Sequence, residues 1–143
     1  MEAIYCFEKV LALNPKDAVA WYNKGLSLHG LRRFEEAIIS FNKTIEINPR
    51  DDNTWFAKGL SHDGLNQLDE ALYCFEMTLE INPNYVIAWY PKALVQEKQK
   101  KSQDAAKSYG QFISQASVQG VEKNYIKQIE YAANRLEKLK EDY

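Results

Sequence analysis

Regularly spaced tryptophans constrain this chain more than any other feature of its sequence. Three of them recur at an interval of 34 residues: Trp21, Trp55 and Trp89. Three prolines keep the same interval: Pro15, Pro49 and Pro83. A period of about 34 residues is typical of solenoids built from helix–turn–helix units. The spacing therefore predicts an all-α fold in which each unit adds two helices and packs against its neighbours.

Small and aromatic residues fall into the same register. A small residue follows each tryptophan by four positions: Gly25, Gly59 and Ala93. Further along each unit come an alanine and an aromatic residue: Ala37, Ala71, Ala105 and Phe41, Phe75, Tyr109. Recurring small residues indicate that two helices approach closely, and the aromatic column supplies the bulk that fills the adjacent gap.

Apolar spacing predicts two helices in each unit. First helices are expected over 18–30, 52–64 and 86–98, and second helices over 34–47, 68–81 and 102–116. Each Asn-Pro pair ends a second helix because the residue before proline is pushed out of the α region. Asp17, Asp51 and Asn84 then lie where an N-cap would serve the next helix. The stretch 2–15 matches only the second half of a unit.

The regular pattern ends after the third unit. Ser117 stands where a fourth Asn-Pro proline would fall. The stretch 121–143 then carries an apolar stripe at steps of three and four: Val121, Tyr125, Ile129, Ala132, Leu136, Leu139 and Tyr143. We expect one long amphipathic helix that caps the array, because a terminal repeat needs a cover with a polar outer face. A detachable arm that binds a partner is the alternative.

Composition argues against several function classes. The 143 residues include 18 basic and 20 acidic ones, so the net charge of −2 gives no overall attraction to nucleic acid or to an anionic membrane. No apolar run approaches the ~18 residues of a membrane span. The first residues lack the basic and apolar regions of a secretory signal. We therefore expect a cytoplasmic protein with neither a nucleic-acid nor a membrane partner.

No motif in the sequence predicts catalysis. Cys6 and Cys74 lie two periods apart, too far for a disulfide in a solenoid, so we expect reduced and partly buried thiols. His29 and His62 have no zinc-binding spacing. Phosphate-binding loops and nucleophile elbows are absent from the sequence. We expect no enzyme activity, no metal and no cofactor.

Two stretches of the chain resemble tetratricopeptide (TPR) repeats: AWYNKGLSLHGLRRFEEAIISFNKTIEINP and TWFAKGLSHDGLNQLDEALYCFEMTLEINP. The Asn-Lys-Gly wording of the first is similar to a common prokaryotic variant. The resemblance covers about residues 2–116 and implies an all-α, right-handed α-α superhelix (a TPR solenoid) with a C-terminal capping helix. It divides a single domain, 1–143, into a half repeat (1–17), two repeats (18–51 and 52–85), a degenerate third repeat (86–119) and the capping helix (120–143).

The resemblance also implies a peptide-binding groove, because the first helices of tetratricopeptide repeats line a concave surface. The positions that carry over are Val19, Tyr22, Asn23, Leu26, His29, Asn53, Phe56, Ala57, Leu60, Asp63, Ile87, Tyr90, Leu94 and Glu97. Two rows among them are apolar throughout: Tyr22, Phe56, Tyr90 and Leu26, Leu60, Leu94. A contiguous exposed apolar patch usually marks an interaction site. The alternative for the aromatic row is sideways packing against neighbouring repeats.

The predicted groove lacks the Lys, Asn and Arg clamp with which the best-known family members hold a C-terminal carboxylate. The corresponding sites read Tyr22, Leu26, Ala57, Ile87 and Pro91. We therefore expect a protein–protein interaction scaffold that binds an apolar or amphipathic segment. Two alternatives remain open. One is a self-assembly module, a homo-oligomer in which other copies cover the groove and the unpaired N-terminal helix. The other is an interaction fragment of a larger multidomain regulatory protein.

Two further features belong to the first helices. A lysine follows each tryptophan by three residues: Lys24, Lys58 and Lys92. We expect buried aliphatic stems with the ammonium reaching solvent, a charge ladder for an acidic partner being the alternative. Pro91 lies some five residues into the third expected first helix, where proline costs about 3 kcal/mol. Either that helix starts late or it kinks, and our hypothesis is that Pro91 widens the groove there.

Overall fold

The computed structural model describes residues 1–142, which form eight α-helices. In chain order these are α1 (Glu2–Leu13), α2 (Ala18–Gly30), α3 (Phe34–Ile47), α4 (Asp52–Gly64), α5 (Leu68–Ile81), α6 (Trp89–Lys98), α7 (Ser102–Val118) and α8 (Ile126–Glu141). Short 3₁₀ turns precede α6 at Val86–Ala88 and α8 at Glu122–Asn124. All regular structure in the described part of the chain is helical, as the sequence predicts. Tyr143, the last residue of the predicted apolar stripe, lies outside the described residues.

The helices form two compact units, one from Met1 to Ile81 and one from Asn82 onward. In the first unit α2 packs on α3 and α4 on α5, while α1 packs on α2 and α3 on α4. In the second unit α6 packs on α7 and α7 on α8. Within each unit, helices that are adjacent in sequence are also adjacent in space, which is the packing pattern of a solenoid.

In the first unit, each tryptophan is hydrogen-bonded to the proline that precedes it by six residues. The indole nitrogen of Trp21 donates to the carbonyl oxygen of Pro15 at 2.8 Å, and that of Trp55 donates to Pro49 at 2.9 Å. Each bond ties the turn after one second helix to the following first helix. At the start of α2 the Asp17 carboxylate accepts a bond from the Ala20 amide at 3.0 Å, which confirms the predicted N-cap.

The other two predicted caps turn out differently. The Asp51 carboxylate accepts from the Thr54 hydroxyl at 2.6 Å and makes no capping bond to a backbone amide. In the second unit the turn that precedes α6 has Tyr85 at its N-cap, so the predicted cap at Asn84 is wrong by one residue. The reason is that helical structure begins there as a 3₁₀ turn at Val86 and becomes α-helical only at Trp89.

The late start of α6 resolves the two alternatives for Pro91. Pro91 is the third residue of α6, within the first turn, where backbone N–H groups have no partner inside the helix. A proline there removes no helical hydrogen bond, so the cost expected inside a helix does not arise. The buried indole nitrogen of Trp89, at the start of α6, has no hydrogen-bond partner, unlike those of Trp21 and Trp55.

The close helix approach predicted from the small residues is confirmed within the repeats. A Cβ atom at Gly25 would lie 2.5 Å from Cε1 of Phe41, and one at Gly59 would lie 2.7 Å from Cε1 of Phe75. Both rings are fully buried. Each ring therefore occupies the space that a larger side chain on the first helix would need.

The turns between the two helices of a repeat share a backbone conformation. Arg32, Asn66 and Lys100, again 34 residues apart, have φ angles of +60°, +57° and +60°. Asparagine tolerates this left-handed region better than arginine or lysine does. Arg32 also places its guanidinium 5.4 Å from the ring centroid of Phe34.

The C-terminal helix caps the second unit, although it is shorter than predicted. The expected single helix from residue 121 is wrong in its start, because a 3₁₀ turn delays α8 until Ile126. Ala132 and Leu139 of α8 are buried in the cluster that contains Phe112 and Ala116 of α7. Its exposed side carries lysine and glutamate, as a cap requires. The preceding helix α7, expected to end at residue 116, extends to Val118.

Gly59→Ala is expected to lower the free energy of unfolding by about 1–3 kcal/mol, because the new methyl group would displace the Phe75 ring. Gly110→Ala is the matched control. No atom lies within 4 Å of a Cβ at that mid-helix position, so alanine should stabilise by about 0.5–1 kcal/mol. Urea unfolding of both variants measures the difference. Equal effects of the two substitutions would contradict the role given to the ring.

Removal of residues 121–143 is expected to lower the melting temperature or to cause association, because Phe112 and Ala116 would lose the apolar cover of α8. Circular dichroism and sedimentation report the two effects. Lys138→Ala on the exposed side of α8 should change neither. A truncated chain that stays monomeric with an unaltered melting temperature would show that α8 is not a required cap.

Candidate peptide-binding face

The first unit presents apolar side chains on the side of α2 and α4 that borders the glycine–ring contacts. We call Val19, Tyr22 and Leu26 of α2, with Phe56 and Leu60 of α4, the candidate face. Val19 is 68% exposed and Leu26 is 40% exposed, while the other three are half-buried. Gly25 and Leu28 of the same helix are buried in the core. Helix α2 is thus apolar both toward the core and toward solvent.

The aromatic residues of the candidate face rest on the buried rings of their own repeats. The ring centroids of Tyr22 and Phe41 are 6.1 Å apart, and those of Phe56 and Phe75 are 5.9 Å apart. Tyr22 also packs against a cluster that includes Ala57 of the next repeat, so part of the sideways packing considered for this row is present. The rings of Tyr22 and Phe56 each pack on a buried ring on one side, and both residues remain half-buried.

Acidic groups lie beside this face. Burial, and then the carboxylates of Asp51 and Asp52, raise the pKa of Tyr22 above its ordinary value of 10.0. Asp63, another predicted groove residue, is half-buried on α4, and Asn53 is exposed at the start of the same helix. Asn23 is half-buried on α2. The carboxylates of Asp51 and Asp52 therefore make the surroundings of Tyr22 negative.

His29 links the two repeats of the first unit. Its Nδ1 lies 2.9 Å from the Ser61 hydroxyl oxygen. Because that hydroxyl donates its own hydrogen to the Ala57 carbonyl at 3.1 Å, Nδ1 of His29 is the donor in the bond to Ser61. Burial, and then the nearby Arg32, lower the pKa of His29 below its ordinary value of 6.5. Ala57 is buried and offers a ligand little surface.

The predicted groove positions of the second unit are engaged within that unit. Ile87, Tyr90 and Leu94 are half-buried and pack against its core. The Tyr90 ring lies 5.5 Å from the Phe112 ring and 6.1 Å from the Tyr131 ring. Pro91 is buried. Helix α8 therefore supplies one of the aromatic contacts to Tyr90.

Glu97, another predicted groove residue, is held by hydrogen bonds from two side chains. Its carboxylate accepts from the Tyr109 hydroxyl at 2.6 Å and from Nε of Arg135 at 3.1 Å. Burial alone would raise the pKa of Glu97, but the bonds from Arg135 and Tyr109 outweigh it and hold the pKa below 4.5. Tyr131 and Arg135 of α8 were not among the predicted residues. Their four-residue spacing puts them on one side of α8, but nothing local says what that side contacts.

A cation–π contact recurs in every repeat. The ammonium groups of the three lysines lie over the indole ring three residues earlier, at 5.4 Å for Lys24, 5.0 Å for Lys58 and 4.9 Å for Lys92. Lys24 also pairs with Glu8 at 3.2 Å. We expected these ammonium groups to reach solvent, and their contact with the indole rings was not predicted. The i, i+3 spacing was the signal, since it places both side chains on one side of a helix.

The thiols and imidazoles do not converge on a reactive site. Cys74 is buried, which raises its pKa to about 11, whereas Cys6 is exposed and not partly buried as expected. His62 donates from Nδ1 to the Gln67 side-chain carbonyl at 2.6 Å. Within residues 1–142, no three His, Cys, Asp or Glu side chains lie together in a way that could hold a metal ion. None of the described helices combines the length and apolar character that crossing a membrane requires.

Sequence comparison identifies the repeats. The family model described as tetratricopeptide repeat matches residues 18–51 and 53–85. These two stretches are tetratricopeptide repeats. No curated protein sequence matches the chain. The two matched stretches contain α2 to α5 and therefore the whole candidate face.

Solved tetratricopeptide structures share the fold at low sequence identity. A crystal structure of MamA is 19% identical, covering 98% of this chain and 90% of its own, with a TM-score of 0.76. MamA from Desulfovibrio magneticus RS-1 is 21% identical, covering 81% and 66%, with a TM-score of 0.77. The first TPR domain of Spaghetti (RPAP3), bound to an HSP90 peptide, is 18% identical, covering 87% and 91%, with a TM-score of 0.74. These likenesses establish an all-α tetratricopeptide-repeat solenoid.

Acidification tests the Glu97 bonds. Because the pKa of Glu97 is lowered by folding, the unfolded chain takes up this proton first as the pH falls below 4.5. The stability that the carboxylate gives is therefore present above pH 4.5 and is lost as the pH falls through the lowered pKa. The Glu97→Gln variant should have a lower free energy of unfolding than the parent chain at neutral pH. Its free energy of unfolding should also change less with pH below pH 4.5. Glu137→Gln, on the exposed side of α8, serves as control and should leave the profile unchanged.

Proposed function

We propose that this protein is a non-catalytic protein-interaction scaffold and that the candidate face of α2 and α4 binds an apolar or amphipathic segment of another polypeptide. The observation that carries the proposal is the pair of apolar faces on α2. Gly25 and Leu28 lie on the face that packs in the core, whereas Val19 and Leu26 lie on a second face that is exposed to solvent. A helix that is apolar on both faces is expected to be covered on both.

The contacts beneath the candidate face support its use as a docking surface. Tyr22 and Phe56 are backed by the fully buried rings of Phe41 and Phe75, so their orientation is fixed before a ligand arrives. Preformed aromatic surface binds at a lower entropic cost than a mobile one. The half-buried Leu60 adds aliphatic surface on α4. A ligand side chain inserted among these residues would make apolar contacts on two repeats.

The charge distribution narrows the class of ligand. The clamp positions of acidic-peptide binders hold apolar residues here, and Asp51 and Asp52 lie close enough to Tyr22 to raise its pKa. An acidic peptide would therefore meet like charge and find no cationic clamp. The RPAP3 domain is described with an HSP90 peptide, SRMEEVD. For the present chain we propose an apolar segment that carries neutral or basic residues at its ends.

Self-assembly is the second candidate function, and one observation favours it. Tyr5 and Leu13 of α1 are 60% and 90% exposed, so this helix also has an uncovered apolar surface. Other copies of the chain could cover it together with the candidate face. Sedimentation at rising concentration distinguishes the two functions, because only self-assembly requires the mass to increase in the absence of a partner.

Leu26→Glu tests the proposed binding face. Peptides selected from a random library against the intact chain supply the probe, and their affinity is measured by fluorescence anisotropy. Burial of a leucine contributes about 1.5–3 kcal/mol, so the substitution should weaken binding roughly 10- to 100-fold. Leu60→Glu should act in the same direction.

Ile39→Glu is the matched control, since Ile39 is 59% exposed on the second helix α3 and outside the candidate face. It should leave the affinity unchanged, and circular dichroism should show equal helicity in all variants. Undiminished binding by Leu26→Glu would place the site elsewhere. An equal loss in Ile39→Glu would point to a general effect of added negative charge.

A further inference from the structure

A surface groove lies between α7 and α8 in the second unit. It contains a cavity of about 390 Å³, and both helices line it: Gln103, Ala106 and Lys107 of α7 with Leu136 and Lys140 of α8. We call these five residues the α7–α8 groove. Ala106 and Leu136 are half-buried and pack against the core of the unit, so they form an apolar floor. Lys107 and Lys140 are exposed and form a basic rim, one on each helix.

The space beside the groove continues along both helices. Gly110 follows Ala106 by four residues and so lies on the same side of α7, and a Cβ atom there would have no other atom within 4 Å. On α8, the exposed Ala133 precedes Leu136 by three residues. These small residues leave room along α7 and α8 for a further helix. An amphipathic helix that lays its apolar side into such a groove is a recurring mode of peptide recognition.

This side of a second helix is open even where further helices follow it. The residues of α3 that are equivalent to the α7 lining are Glu35, Ile38 and Ile39. Glu35 and Ile39 are exposed and Ile38 is half-buried, although α4 and α5 come after α3 in the chain. Gln103, Lys107 and Ala106 have the same degrees of exposure. The accessibility of the α7 lining is therefore a property of the repeat and not of its place in the chain.

The charge at these positions changes in the third repeat. The column of Gln103 is acidic in the first two repeats, where it holds Glu35 and Asp69. The column of Lys107 is apolar there, with Ile39 and Tyr73. The third repeat thus loses a carboxylate and gains an ammonium group at the place where α8 brings a second ammonium group, that of Lys140.

The two lysines of the rim are not neutralised by their neighbours. Neither Lys107 nor Lys140 forms an ion pair with a carboxylate of residues 1–142. Asp104 and Glu137 each follow a lining residue by one position, so they lie about 100° further around their helices. The α7–α8 groove therefore combines an apolar floor with two positive charges that are available to a ligand.

We propose that the α7–α8 groove binds an acidic amphipathic helix of another polypeptide. Apolar residues of that helix, spaced three and four apart, contact Ala106 and Leu136, and carboxylates beside them pair with Lys107 and Lys140. Charge complementarity selects this partner, because a basic helix would meet like charge at the rim. The groove belongs to a second helix and the cap, so it is a different surface from the candidate face on α2 and α4.

The probe is a synthetic peptide of about 15 residues that forms an amphipathic helix, with leucines in the helical period and glutamates on both sides of them. A peptide of the same composition in scrambled order controls for non-specific attraction. Fluorescence anisotropy measures the affinity of each peptide for the intact chain. Carbodiimide coupling joins a carboxylate to a nearby amine, and mass spectrometry then identifies the lysines. Saturable binding of the helical peptide alone, with coupling at Lys107 and Lys140, is expected.

Charge reversal locates the contact on the protein. Lys107→Glu and Lys140→Glu each replace attraction by repulsion and should weaken binding of the acidic helix roughly five- to tenfold. A peptide with lysine in place of glutamate should bind the double variant more tightly than it binds the parent chain. Both positions are exposed, so helicity should be unchanged. Lys127→Glu makes the same charge change on the side of α8 opposite Leu136, and this matched control should bind like the parent chain.

Four results would overturn the proposal. The first is no saturable binding of the helical peptide, or equal binding of the scrambled one. The second is undiminished binding by both reversed variants, or an equal loss in Lys127→Glu, which would indicate a general effect of charge. The third is equally effective displacement by decanoate, which would make a small amphiphile the occupant. The fourth is association of the chain alone that Lys107→Glu abolishes, which would make a second copy the occupant.

The candidate face is tested separately. Leu26→Glu should leave binding of the acidic helix unchanged, because Leu26 lies on α2 and the groove is formed by α7 and α8. Loss of acidic-helix binding in Leu26→Glu but not in Lys107→Glu would place this peptide on the candidate face and contradict the proposal for the α7–α8 groove.

Discussion

The contact between a first-helix glycine and a second-helix ring determines the geometry of the first unit. With Phe41 lying against Gly25 and Phe75 against Gly59, the two helices of each repeat come as close as their backbones allow. One side of each first helix is thereby committed to the core, and the neighbouring residues are fixed in direction. The tryptophan is tied to the preceding turn, the lysine covers the tryptophan, and the remaining apolar side chains face solvent. The candidate face follows from this core contact.

The second unit shows what happens when the aromatic residue gains a hydroxyl. Tyr109 replaces phenylalanine in a fully buried column, and a buried hydroxyl needs a hydrogen-bond partner. Glu97 accepts its hydrogen, and Arg135 of α8 balances the charge that this carboxylate brings. A single polar atom in the core thus accounts for an ion pair between α6 and α8. The same helix adds Tyr131 to the contacts of Tyr90, so the cap and the third repeat are joined by both polar and aromatic contacts.

The sequence predicted those elements whose signals are local. The bounds of α2 to α5 follow from apolar spacing and from Asn-Pro stops, and the structure places them at the expected residues. The starts of α6 and α8 were missed because 3₁₀ turns there depend on tertiary packing and on Pro91. The apolar rows were visible in the sequence, but the difference between Leu26 in solvent and Leu94 packed in a core was not. Which helix covers a given side is set by neighbours distant in sequence, as Arg135 shows.

The left-handed turns at Arg32, Asn66 and Lys100 bear on how tightly the repeats are optimised. A side chain with a Cβ carries a cost of roughly 1–2 kcal/mol in this conformation, and asparagine bears it best. Two of the three turns nevertheless use long cationic residues, and Arg32 offsets part of its cost by stacking on Phe34. These turns lie outside the candidate face. The connections of the array are therefore not optimised for stability, and a better residue at these turns would offset part of the cost of a destabilising substitution on the candidate face.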